Sequence, residues 1–83
     1  MVIFELLGPI TKIETIARGK EIRTLKSLEA TYKPGKWRKL KGLAKIKILG
    51  DNAPCVAELH WYELHGFGKR LMKVKRVVRY LKA

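Results

Sequence analysis

The chain is short of cysteine, of acid and of long apolar runs, and each shortage excludes something. One cysteine, Cys55, in 83 residues rules out an internal disulfide, the usual staple of small secreted domains. Its neighbours Pro54, Val56 and Ala57 bring no cation, so Cys55 reads as a buried thiol rather than a reactive one. Residues 1–7 are apolar but far too short to cross a bilayer, and they include Glu5. They also lack the basic lead and small-residue cleavage site of a secretory signal. A cytoplasmic location with no membrane partner is therefore expected. Cys55, His60 and His65 lie five apart, a spacing that turns His60 away from the other two on a regular strand, so no metal site is expected. Nor is a cofactor. The run Gly66-Phe67-Gly68-Lys69-Arg70 has glycines and cations but lacks the strand–loop–helix setting of a phosphate-binding loop.

The scarcity of acid is the strongest signal. Nineteen Lys and Arg face seven Asp and Glu, a net charge of +12 and a pI near 10.2. Such a balance calls for a polyanionic partner, nucleic acid first, with RNA ahead of DNA, and an acidic protein second. The charge is uneven: residues 1–17 carry −1, 18–50 carry +9, 51–67 carry −3 and 68–83 carry +7. The acidic break contains the run from Glu58 to Gly66, which holds both histidines and one of the two tryptophans. A hydrophobic fraction of 47% is that of a globular chain, and the length fits one small basic domain over residues 1–83. A chain this size buries only about 60–65% of its unfolded surface, so the core is thin.

Glycine and proline punctuate the rest. Gly8-Pro9 separates two apolar segments, Val2–Leu7 and Ile10–Ala17, both expected as strands. Over residues 20–32 the period changes: Ile22, Leu25 and Leu28 recur three apart with Lys20, Arg23 and Lys26 displaced from them, which predicts a helix. Lys33-Pro34-Gly35 stops it. Lys36–Gly42 is a basic connector with four cations in seven residues. Leu43–Leu49 alternates Ala44, Ile46 and Ile48 against Lys45 and Lys47 as a half-buried strand, and Cys55–His65 is the next. Residues 70–81 fit a strand or a helix, with valine content and the meander before it favouring a strand. The expected fold is α+β: one helix packed on a curled antiparallel sheet of about five short strands. A small SH3-like or OB-like barrel is the competing architecture.

Strand phasing then divides the aromatic run. Cys55, Ala57, Leu59 and Trp61 share one face, expected to pack on Ile46, Ile48, Met72, Val74 and the helix. Val56, Glu58, His60, Tyr62 and Leu64 share the other, set between Lys45 and Lys47 on one neighbour and Lys73 and Lys75 on the next. Lysines there neutralise phosphates, and Tyr62 with an exposed Trp37 stacks bases. The expected nucleic-acid contacts are Lys36, Trp37, Arg38, Lys39, Lys41, Lys45, Lys47, Lys69, Arg70, Lys73 and Lys75. The same face also offers chemistry. RNA cleavage without a metal needs a base for the 2′-hydroxyl, an acid for the leaving oxygen and a cation for the phosphorane. His60, Glu58, Tyr62 and Arg70 are the groups to supply them. Period-two alternation of charge is equally what an ordinary solvated strand shows, and non-catalytic binding is the leading expectation.

The segments Gly35-Lys36-Trp37-Arg38-Lys39-Leu40-Lys41-Gly42, Ala57-Glu58-Leu59-His60-Trp61-Tyr62-Glu63 and His65-Gly66-Phe67-Gly68-Lys69 resemble a group of short bacterial proteins of unassigned function over about residues 13–79. Lys39-Leu40-Lys41-Gly42 and Leu64-His65-Gly66-Phe67-Gly68-Lys69 are also similar in kind to elements of the RelE/ParE toxins, although those have a two-helix hairpin where one helix is expected here. That second resemblance implies a ribonuclease toxin or a gyrase poison, with an acidic antitoxin as protein partner.

Overall fold

The computed structural model describes residues 2–82. Its elements run β1 (Phe4–Leu6), β2 (Thr11–Arg18), a 3-10 turn (Gly19–Glu21), α1 (Leu25–Thr31), β3 (Arg38–Ile48), β4 (Cys55–Leu64) and β5 (Gly68–Tyr80). All pairings are antiparallel. β1 and β2 share one edge of β3, β4 takes the other edge, and β5 pairs with β4. Among the described residues no pairing joins β5 back to β1 or β2. The sheet is a curled, open half-barrel with one α-helix on it, the α+β arrangement expected, and not a closed barrel.

Alternation in β3 and β4 builds the inner face. Leu40, Ala44, Ile46, Cys55, Ala57, Leu59 and Trp61 are buried there, and Phe4, Ile10, Met72, Val74 and Val77 pack around them. Gly42 makes room for this. A Cβ at that position would lie 2.6 Å from Ile10 Cγ2, 3.1 Å from the Thr11 carbonyl oxygen and 3.2 Å from the Trp61 indole, so only glycine lets β2 and the indole close on β3.

Four expectations are corrected. The Lys36–Gly42 connector is largely strand: Arg38–Gly42 forms the first half of β3, with Leu40 turned into the core and Lys39 and Lys41 outward. The single helix over 20–32 is a 3-10 turn and a short α1, because Ile22 between them is extended at φ −80°, ψ 119°. Its apolar spacing still holds, since Ile22 and Leu28 are both buried. The helix packs on the opposite face of the sheet from Leu59 and Trp61: Ile22, Leu28, Trp37 and Leu64 form a second core there, with Tyr32, Tyr62 and Phe67 beside it. Trp37 is therefore not an exposed stacking platform. It is 1% exposed, and its indole N–H donates to the Lys33 carbonyl at 2.9 Å.

The final segment is a strand throughout, but an irregular one. Its register on β4 slips three times, between Val56 and Ala57, between Glu58 and Leu59 and between His60 and Tyr62. Each slip leaves one extra residue on β5: Val78, Lys75 and Leu71. Leu71 sits in the left-handed region at φ 55° and is 59% exposed. A left-handed L-residue is strained by about 1–2 kcal/mol, and asparagine tolerates that conformation far better than leucine. Leu71→Asn is accordingly expected to stabilise the fold by about 1 kcal/mol, read as a higher urea midpoint at unchanged slope.

Candidate functional site

The three slips in β5 decide what faces outward. In a regular strand Arg70, Met72, Val74 and Arg76 would share a face. Here Arg70 pairs with Tyr62, Lys73 with His60, Arg76 with Glu58 and Arg79 with Val56. A cation every third residue becomes an unbroken row on the outer face, while Met72, Val74 and Val77 turn inward to the core. On the other side of β4, Lys39 pairs with Tyr62, Lys41 with His60, Leu43 with Glu58 and Lys45 with Val56. Two cationic rails thus run along β3 and β5, about 10 Å apart across two strand spacings, with an outward residue every ~6.7 Å along β3. Between them lies the β4 track Val56, Glu58, His60 and Tyr62.

Of the four residues expected to do chemistry, two meet. His60 Nε2 donates to Glu58 Oε2 at 2.7 Å, and the other carboxylate oxygen accepts from the Arg76 guanidinium at 3.2 Å. His60 is buried, 8% exposed, and its Nδ1 has no hydrogen-bond partner. It is not the open-face histidine that alternation implied. Tyr62 is held under the helix, where its hydroxyl accepts from the Thr24 hydroxyl at 3.3 Å. Arg70 stacks over Phe67, 4.6 Å from the ring centroid, and so anchors the second core. The His60 hydrogen bond, then the charges of Arg76, His60 and Lys41, hold the Glu58 carboxyl below its ordinary value against the opposing effect of burial.

A carboxyl depressed in the folded state stabilises the fold fully above its unfolded pKa, and that stability is lost as pH falls through the folded value. Wild-type protein is therefore expected to lose thermal stability below pH 4.5 more steeply than Glu58→Gln, in melts at constant ionic strength. Cys55, fully buried on the inner face, has its thiol pKa raised by that burial and secondarily by Asp51, which suits the inert role expected of it.

The expected nucleic-acid contacts divide the same way. Lys39, Lys41, Lys45 and Lys47 lie on the outer face of β3, although the Lys47 ammonium donates to the Asp51 carbonyl. Lys73 and Arg70 lie on the β5 rail, but Lys75 falls in a slip and out of the row. Arg38 and Lys69 are on the opposite face: both pair with Glu63, at 3.2 and 3.9 Å, over the edge of Trp61. Lys36 lines a separate cavity with His65 and Arg18 at the helix end. Arg76 and Arg79 were missed. Their signal was the spacing of three in Arg70, Lys73, Arg76 and Arg79, which a regular strand would turn to alternate faces.

Among the described residues no group of histidines, cysteines and carboxylates is placed to hold a metal ion, and no helix is long and apolar enough to cross a membrane. No family model, curated protein or solved structure matches the chain.

Proposed function

We propose that the outer face is a nucleic-acid-binding surface, with RNA preferred to DNA. The observation that carries this reading is the pair of cationic rails along β3 and β5. Backbone slips in β5 at three places serve to keep every third residue, a Lys or Arg each time, turned outward. Solubility alone requires no such register. Rails of this pitch suit successive phosphates of one strand, and each neutralised phosphate adds to the salt dependence of binding. The preference for RNA rests on Glu58. A carboxylate set among cations repels phosphate but accepts a hydrogen bond from a 2′-hydroxyl, the group that DNA lacks.

Labelled RNA and duplex DNA incubated with the protein at low and high salt test this reading. RNA retention that falls steeply with salt and exceeds DNA retention is the expected result. Absence of both at low salt would sink the proposal. A second reading, metal-independent RNA cleavage, is supported by the 2.7 Å contact between His60 and Glu58. It requires fragments that vanish in His60→Ala, and intact RNA with and without ribosomes removes it.

A further inference from the structure

We infer that the cleft between α1 and β5 is a subsite for one unpaired nucleobase, so that the ligand of the outer face is a single strand. This rests on the nucleic-acid reading above. The cleft is about 290 Å³. Its helix wall is Thr24, Ser27, Leu28 and Thr31, and Tyr32, Tyr62, Leu71 and Lys73 line its other sides.

Three features give that space a purpose. The helix wall follows the i, i+3, i+4, i+7 spacing of one helical face. A short helix lying on a sheet is expected to fill such a face with apolar side chains. Here three of the four residues carry hydroxyls, and the space beneath them stays open. Leu71, at the mouth, is held outward by a strained left-handed backbone rather than being folded into either core. Strain kept at a cleft, with an apolar side chain presented to solvent, is what a contact surface requires and what a stable surface avoids. Lys73 belongs both to the cleft and to the β5 rail. A strand whose phosphate rests on Lys73 therefore has a base within reach of the opening.

The chemistry of the lining selects the occupant. A nucleobase has apolar faces, which match Leu28, Leu71 and the Tyr62 ring, and a polar edge, which meets Thr24, Ser27 and Thr31. Hydroxyls rotate to donate or accept, so they serve the edge of any base. A cavity at the lower end of the ~300–1,000 Å³ range for small ligands suits a single heterocycle, not a peptide segment. In a duplex the base edge is already paired, and entry would require extruding the nucleotide.

The experiment compares a short RNA, the same RNA annealed to its complement, and an abasic strand of equal length, at about 0.15 M salt where charge attraction is short-ranged. Wild-type protein is expected to bind the single strand at least tenfold tighter than the duplex or the abasic strand. Ser27→Leu/Thr31→Leu fills the cleft with apolar side chains at exposed helix positions. It is expected to erase that preference while leaving duplex binding and the salt slope unchanged. Leu71→Asn is expected to weaken the single strand several-fold while raising thermal stability, so the loss is not one of folding. Equal affinity for the three nucleic acids, or a preference that survives the filled cleft, overturns the subsite but leaves the rails standing. No retention of any of them at low salt overturns both readings.

Discussion

Trp61→Ala is expected to lower stability by about 3–5 kcal/mol, the range for deleting a buried indole. That loss is comparable with the ~5–15 kcal/mol that separates a native domain from its unfolded chain. The site admits little collapse. Trp61 is fully buried at the centre of the inner face, opposite Leu40, and Gly42 leaves only enough room for the indole. Its N–H donates to Glu63 Oε2 at 2.7 Å, and Glu63 in turn holds Arg38 and Lys69 at the rim. Trp61→Phe separates the two contributions. It keeps most of the apolar bulk and leaves Glu63 with its two cations, so it is expected to cost much less. Urea unfolding at matched slopes measures both. An alanine variant within 1 kcal/mol of wild type, on the order of one ordinary hydrogen bond, would show that the inner face is not the principal core.

The parts of this fold legible in the sequence are those governed by one regular period. Ala44, Ile46 and Ile48 against Lys45 and Lys47, and Cys55, Ala57, Leu59 and Trp61 against Glu58 and His60, gave the strand pairing and the inner core directly. Phasing tells which residues share a face, but not which face a later element covers. The clue to the helix side was Leu64, the apolar residue on the otherwise polar phase, which the structure buries with Ile22 and Leu28. Charge density hid the first half of β3, because four cations in seven residues mask a single inward Leu40. In β5 the slips themselves were illegible. Each inserts a residue and resets the period, so Leu71, Lys75 and Val78 broke a strand pattern that the backbone restores. The Glu58–His60 contact, by contrast, followed from spacing alone, since residues two apart on a strand lie side by side.

Those slips make the functional proposal quantitative. Lys41→Gln, Lys45→Gln, Lys73→Gln and Arg79→Gln together remove four rail charges that have no ion-pair partner among the described residues. Each phosphate neutralised on a single strand contributes about −0.7 to the slope of log affinity against log salt, so losing four contacts is expected to flatten that slope by about 3. Over a tenfold rise in salt, wild-type protein would then lose roughly a thousandfold more affinity than the variant. The comparison that gives this meaning is Lys20→Gln, Lys26→Gln, Lys33→Gln and Lys36→Gln. It removes the same four charges from the +12 of the chain, at exposed positions off the rails. Exposed charges separated by more than about 8 Å are largely screened at physiological salt. A ligand seated on the rails should therefore distinguish the two variants sharply, with the second keeping most of the wild-type slope. Equal flattening in both would mean that net charge alone attracts the nucleic acid. The register of β5 would then be left with only the packing of Met72, Val74 and Val77 to explain it.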